Sequence, residues 1–395
     1  MADPVVIVGG GPVGMTAAFF LGRAGIEVTV LEKLVEPYDD PRAATFHPPT
    51  LEMFSESGVT DQLLALGIPT PHWQFRDKQE GIIAEFDLAL LDDITPYPFR
   101  MQCEQHKLVA VLEERLASMD NVTVLRGVEV SGLNEDAEGV TIATSAGDFH
   151  ASWVIGTDGG RSVVRKSSGI GFEGFTFQER FLVITTSHDF ETDGFAYSSY
   201  ISDPEEWAAV FKVPGPDGKG RWRMTSATVP EADPEMLLSF ENAQAKLQRF
   251  LPSADPYPVL HTNLYTVHQR VATRFRKGRV LLAGDASHVN NPLGGMGMNF
   301  GIHDAVNLSE KLVAVLDGAD DSLMDLYDRQ RRHVAEHFLQ AMTIRNKKTL
   351  EEKDLGRRNA MLAEMRATAA DRDKSRAHLM NTAMFASVRA AAAVE

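Results

Sequence analysis

Val5-Val6-Ile7-Val8-Gly9-Gly10-Gly11-Pro12-Val13-Gly14 joins a β-branched apolar run to a glycine turn and then to helix formers. Such a run predicts a buried strand, and residues 13–23 carry apolar side chains at helical spacing. A second apolar run, residues 26–31, stops at Glu32 and completes a βαβ unit. Gly9, Gly11 and Gly14 form G-x-G-x-x-G. The first permits a tight turn, the second lets backbone approach a pyrophosphate, and the third lets helix pack on strand. Glu32, 18 residues beyond Gly14, stands where a carboxylate accepts hydrogen bonds from an unphosphorylated adenosine ribose. Pro12 and Val13, between the glycines, and Lys33, after the acid, are assigned to the same cofactor contact. The fingerprint does not separate FAD from NAD, since both present an adenosine diphosphate.

Two further elements point to the flavin. Trp153 to Ile155 feeds Gly156-Thr157-Asp158-Gly159-Gly160-Arg161, and Arg279 to Ala283 feeds Gly284-Asp285. Two acids at strand ends suggest two polyol contacts. Downstream, Pro292-Leu293-Gly294-Gly295-Met296-Gly297-Met298-Asn299 exposes backbone N–H groups before the predicted helix 301–316, a place for a partly anionic ring edge.

Between these elements the periodicity changes. Residues 75–99 and about 172–267 read as β structure, the latter an antiparallel sheet rich in aromatic and β-branched residues. The fold class expected is α/β: a discontinuous Rossmann-like FAD-binding domain, an inserted, mainly antiparallel β-sheet substrate domain and a C-terminal helical segment. The expected boundaries are 1–75, 100–175 and 268–345 for FAD, 76–99 and 176–267 for substrate, and 346–395 for the helical tail.

Composition narrows the function. The 395 residues hold 39 Lys plus Arg against 55 Asp plus Glu, a net charge of −16 that opposes a nucleic-acid partner. One cysteine, Cys103, excludes an internal disulfide framework and any multi-thiolate metal site within one chain, and a reducing compartment fits; no metal is expected. No apolar run approaches the ~18–20 residues of a membrane span, and no leader pattern precedes Val5. A cytoplasmic protein is expected, with a homodimer as the expected oligomer.

The ordered set of Gly9, Asp158 and Gly284 elements, with the Pro292–Asn299 turn, resembles the FAD-dependent aromatic hydroxylases, single-component flavoprotein monooxygenases similar to para-hydroxybenzoate hydroxylase. The resemblance covers residues 4–175 and 265–345. It implies FAD as cofactor, NADH or NADPH as electron donor, and a small electron-rich aromatic (phenolic or hydroxypyridine-type) plus molecular oxygen as substrates, hydroxylated through a flavin C4a-hydroperoxide. It also implies site roles. Asp285 would bind the ribitol chain, and Gly295, Met298 and Asn299 would meet the isoalloxazine ring through backbone. Arg42 would lie near the pyrophosphate, Gln105 on the flavin chain and Val130 at the adenine. Asp158 with Gly159 would serve FAD and the nicotinamide donor, with helix capping as its other reading. The Pro292 carbonyl would sit beside the reacting flavin edge, with a rigid turn as the alternative. In place of the arginine that many relatives carry after His-Pro, this chain has His47-Pro48-Pro49-Thr50.

Substrate residues carry no strict motif. Arg221 and Arg223 alternate about Trp222 and would share a strand face able to clamp a carboxylate, or would pair with surface acids. Tyr197 and Tyr200 are candidates for a ring hydroxyl, against simple packing. His47 suits proton relay by its ordinary pKa, or packs beside Pro48. A NAD-dependent dehydrogenase lacks any use for the Gly284 element. An FAD-dependent reductase of the same fold and a non-catalytic flavin-binding protein stay open as alternatives.

Overall fold

Strand Val5–Val8 lies inside a six-stranded sheet of the computed structural model, which describes residues 5–37, 43–215 and 217–395. All four of its residues are buried, as a strand covered on both faces requires. Its neighbours are Val28–Glu32 on one side and Trp153–Gly156 on the other, both parallel to it. Val122–Arg126 and Val280–Leu282 extend the parallel set outward, and Arg276–Lys277 closes one edge antiparallel. The sheet order therefore reverses at the first strand, leaving a crevice beyond the carboxyl ends of the strands, where open α/β sheets bind ligands.

Helix Pro12–Arg23 starts with proline at its first turn and packs against helices Gln105–Leu116 and Gly297–Leu316. The last of these is drawn from nearly 300 residues along the chain. An antiparallel three-stranded meander, Val130–Glu135, Val140–Thr144 and Gly147–Ala151, intervenes before Trp153–Gly156.

A second, eight-stranded sheet runs His288–Val289, Val259–Ala272, Phe172–Thr186, Arg221–Ala227, Ala208–Val213, Ser198–Ser202, His72–Asp77, Gly81–Asp87. Every pair is antiparallel except Ser198–Ser202 with His72–Asp77. Its two faces bury different cores. One packs Trp222, Ile184 and Phe190 against helix Phe240–Phe250. The other gathers Trp73, Phe86, Phe181 and Tyr200 with Leu293 of the glycine-rich turn, so this face looks toward the first sheet's site.

The tail forms helices Leu355–Ala370, Arg372–Thr382 and Phe385–Ala392, of which the first packs on strand Gly81–Asp87 of the second sheet, the second on the turn Leu88–Leu91 and the third on helix Ser322–Val334. Arg358 is buried on Asp77 and Ser202, and Arg376 grips Asp93 with both nitrogens at 2.7 and 2.8 Å. Among the described residues no helix is long and apolar enough to cross a membrane, and no group of three or more His, Cys, Asp or Glu is placed to hold a metal ion.

Candidate active site and cofactor cradle

The three fingerprint glycines meet different demands. Gly9 sits at φ +111°, and a Cβ there would stand 2.6 Å from the Thr157 carbonyl oxygen. A Cβ on Gly14 would fall 1.9 Å from the Gly9 carbonyl oxygen, so helix and strand are already in contact. A Cβ on Gly11 would meet nothing within 4 Å. The protein itself needs Gly9 and Gly14; the space before Gly11 is left open at a helix N-terminus with no side-chain cap. Such a terminus favours an anion.

Glu32 accepts the Gly10 amide at 2.6 Å and the Leu34 amide at 2.8 Å, one on each oxygen. It fastens the loop and keeps lone pairs for a ribose. Lys33 is exposed beside it. The Val128 amide bonds the Glu32 carbonyl at 3.0 Å, which brings Val130, buried, to the same end of the cradle. Val13 packs between the positions that Cβ atoms on Gly284 and Gly301 would occupy. Gln105 opens its helix with its amide on the Ala43 carbonyl at 2.9 Å. Arg42 lies outside the described residues.

Asp158 spends its carboxylate on the helix that follows, accepting from Ser162 Oγ and from the Val163 and Val164 amides at 2.6 and 3.1 Å. The capping reading holds for its side chain. Arg165 then ties this turn to the next: it donates to the Gly160 carbonyl at 2.9 Å and to the Ala286 carbonyl at 2.8 Å, over the Phe172 ring. Between buried Gly284 and buried Ala286, Asp285 alone is exposed.

At the far end, helix Gly297–Leu316 begins without a side-chain cap. The Pro292 carbonyl accepts the Gly295 amide at 3.0 Å, so it closes a turn while Pro292 stays exposed. Asn299 is saturated: its Nδ2 donates to the Thr45 and Gly295 carbonyls, both at 2.7 Å, and its Oδ1 accepts from the His47 amide at 2.9 Å and Thr50 Oγ1 at 2.7 Å. Only the backbone of Asn299, and of buried Met298, is left for a ring.

His47 departs from expectation. It is fully buried, caps no group with its ring, and donates Nε2 to the Gly294 carbonyl at 3.0 Å. Burial first, then the Arg100 charge, pushes its pKa down to about 3. A neutral, enclosed imidazole does not relay protons near pH 7, so His47 is a strut of the turn. Tyr197 is a second correction. Its hydroxyl donates to Glu191 at 2.9 Å and its ring packs on Trp222, on the face turned away from Leu293. Arg221 is a third: it bonds Asp217 at 2.8 Å and the Gly220 carbonyl, closing its own turn. The two arginines share a face, but only Arg223 is buried, with Glu104 at 3.9 Å.

Tyr200 does face inward, and beside it stands a residue the periodicity does not mark. Arg100, 3% exposed, lies between the Trp73 ring, 5.2 Å from its centroid, and Ser198 Oγ at 3.4 Å. Its Nε has no hydrogen-bond partner, and the group that answers its charge is the Tyr200 hydroxyl, with no carboxylate among the described residues acting on it. Burial lowers its pKa, offset in part by Tyr200; a guanidinium remains charged all the same. Trp73 Nε1, under the same guanidinium, is also buried without a partner. Buried polar groups are normally paired, so these two neighbouring orphans point to a place for a ligand. Trp73 stacks on Phe86 at 4.6 Å and meets Tyr200 edge-on at 5.8 Å.

A crevice that takes an adenosine diphosphate at one end and a partly anionic ring at an uncapped helix terminus fits FAD, and the protein is by class a Rossmann-type flavoprotein. Residues 3–342 match the family described as FAD binding domain. Para-nitrophenol 4-monooxygenase of Pseudomonas sp. (strain WBC-3) is 34% identical over 96% of this chain and 95% of its own. 6-Hydroxy-3-succinoylpyridine 3-monooxygenase HspB of Pseudomonas putida (strain DSM 28022 / S16) is 32% identical over 84% of this chain and 85% of its own. The crystal structure of p-nitrophenol 4-monooxygenase PnpA from Pseudomonas putida DLL-E4 superposes with a TM-score of 0.91 at 33% identity, covering 98% of each chain. This chain belongs to the FAD-dependent aromatic hydroxylase family.

Proposed function

We propose that the chain is a monooxygenase that uses FAD, NAD(P)H and molecular oxygen to hydroxylate a phenolic ring bound as its phenolate beside Arg100. The observation that carries this reading is the buried guanidinium of Arg100, without a carboxylate partner among the described residues and set against the Trp73 and Tyr200 rings. A cation so placed favours the ionised form of a neighbouring hydroxyl, and a phenolate is nucleophilic at its ortho and para carbons. The two Pseudomonas relatives are named for substrates that carry a ring hydroxyl and an electron-withdrawing ring feature, which supports the same class. With Arg221 spent on Asp217, a carboxylate clamp on that strand is not part of the proposal.

Bound FAD, reduced by the nicotinamide donor, supplies the activation of oxygen. The chain's own groups do the rest. Gly11 leaves room for the pyrophosphate at the helix Pro12–Arg23 terminus, Gly9 and Gly14 hold the turn that shapes it, and Glu32 would accept from the ribose. Asp285, exposed, accepts from the ribitol, while the backbone of Gly295, Met298 and Asn299 holds the ring. Arg42, Gln105, Val130, Lys33 and the Asp158–Gly159 turn complete the proposed cofactor contacts. Tyr200 and Arg100 hold the substrate hydroxyl, and Trp73, Phe86 and Leu293 exclude water. The Pro292 carbonyl keeps a lone pair toward the reacting edge.

In this reading residues 1–75, 100–175 and 268–345 bind FAD, 76–99 and 176–267 bind substrate, and 346–395 close the substrate side. A cytoplasmic location, in keeping with the buried thiol of Cys103, and a homodimer are part of the same proposal.

The test is a visible spectrum of the purified protein followed by oxygen uptake with NADH or NADPH and a panel of phenols that includes 4-nitrophenol. A flavin band with phenol-stimulated oxygen uptake and hydroxylated product is expected. Flavin with no response to any phenol would overturn the substrate class.

A further inference from the structure

Helix Arg372–Thr382 of the tail places one polar group in the aromatic box that the cofactor chemistry does not use. The His378 ring stacks on Phe86 at 4.5 Å and 24°, and on Trp73 at 5.6 Å and 29°. Its Nε2 is buried and has no hydrogen-bond partner. We propose that His378 is a specificity-determining residue, whose Nε2–H donates to a second polar substituent on the ring of the phenol held by Arg100. The proposal rests on the phenol-hydroxylase reading above.

The helix that carries His378 is fixed rather than loose. Two residues before it, Arg376 clamps Asp93, and one residue after it Leu379 is 1% exposed. Asp371 caps the helix through the Asp373 and Lys374 amides, both at 3.0 Å. An imidazole held this firmly, stacked on two rings and left with a bare nitrogen, is pre-organised to donate one hydrogen bond. Leaving that nitrogen unmet is unfavourable, and a ligand acceptor removes the deficit.

The charge state agrees with this role. Burial, then the charges of Arg345 and Arg100, push the pKa of His378 down to about 4. A neutral imidazole adds no second cation to the box. It therefore discriminates by geometry: Arg100 takes the ionised hydroxyl, and His378 takes a neutral or anionic acceptor elsewhere on the ring, such as a nitro or carboxylate oxygen. A phenol with no second acceptor leaves Nε2 unsatisfied and binds less tightly.

The probes are 4-nitrophenol and unsubstituted phenol, each titrated into the FAD-loaded enzyme with the flavin absorbance perturbation read as a dissociation constant. His378→Phe keeps an aromatic ring for the stack and removes the donor; His378→Gln restores a donor without the ring. For His378→Phe the dissociation constant for 4-nitrophenol should rise about tenfold, the worth of one hydrogen bond, and that for phenol should stay within about twofold, with His378→Gln recovering part of the 4-nitrophenol affinity. Equal weakening of both phenols, or no change for 4-nitrophenol, overturns the role of His378 and leaves the hydroxylase reading intact. If the wild-type enzyme binds neither phenol, the hydroxylase reading falls and this inference falls with it.

Discussion

The carboxylate of Asp304 accepts the backbone amide of Gly284 at 3.0 Å. That single bond holds the turn that presents Asp285, and it is backed by His288 Nε2 at 2.7 Å and Arg331 Nε at 2.6 Å on the same buried carboxylate. Burial alone would raise the Asp304 pKa, but His288 and Arg331 outweigh it and the carboxyl is held below its ordinary value. Its stabilising effect is thus present above about pH 4 and lost as pH falls through the lowered pKa. Asp304→Asn leaves buried Arg331 without its counter-charge, a loss of about 3–5 kcal/mol for a broken buried pair. Thermal unfolding should show that loss at pH 7, and desalting should strip FAD from the variant more readily than from wild type.

The glycines of the first turn separate folding from binding. Gly14→Ala drives a methyl into the Gly9 carbonyl and should give little folded protein, whereas Gly11→Ala meets no protein atom within 4 Å. The latter should keep the melting temperature of the apoprotein and weaken FAD about tenfold or more by crowding the pyrophosphate. Fluorescence titration of apoprotein with FAD, beside a melt, checks both. Normal FAD affinity in Gly11→Ala would place the pyrophosphate elsewhere.

Arg100 and Arg221 make opposite predictions. Arg100→Met should weaken phenolate binding roughly 10- to 100-fold, as loss of a charged hydrogen bond does, with FAD content unchanged. Arg221→Met breaks the pair with Asp217 and the bond to the Gly220 carbonyl, both within its own turn, so phenol binding should stay within about twofold. Difference spectra of the two variants with 4-nitrophenol decide the matter.

His47 sets a pH expectation. Its folded-state pKa is depressed to about 3, below the ordinary histidine value, so the unfolded chain binds the extra proton first. Stability from this group is present above about pH 6.5 and falls as pH drops from there toward 3. His303, buried behind Thr50 and also pushed to about 3, adds to the same slope. The imidazole resonances of His47 should not titrate between pH 5 and 9; a midpoint near neutrality would restore the relay role.

How much of this was readable in advance follows from the range of the interactions. The strand, turn and helix around Gly9, with Glu32 after them, are local, and their spacing carried the cradle's design. Tyr197 and Tyr200 differ by three residues, so strand alternation alone puts them on opposite faces. Arg221 and Arg223 do share a face, but Asp217 four residues back captures the first. Nothing in their own segments marks Arg100 or His378: each meets the Trp73 ring only where strand, sheet and tail helix come together. His47 looked chemical because of its ordinary pKa, which burial removes.

Three of the four hydrogen bonds of the Asn299 side chain bind the stretch around Thr45, His47 and Thr50 to a partner some 250 positions later. During synthesis that stretch leaves the ribosome long before its partner exists. The opening βαβ unit can form early, yet the ring end of the crevice has to wait for residues near 299, and the aromatic box for His378. Contacts of such sequence separation are slow to close, so the enzyme should become competent to hold its flavin only after residues near 299 have emerged and folded back on the opening unit.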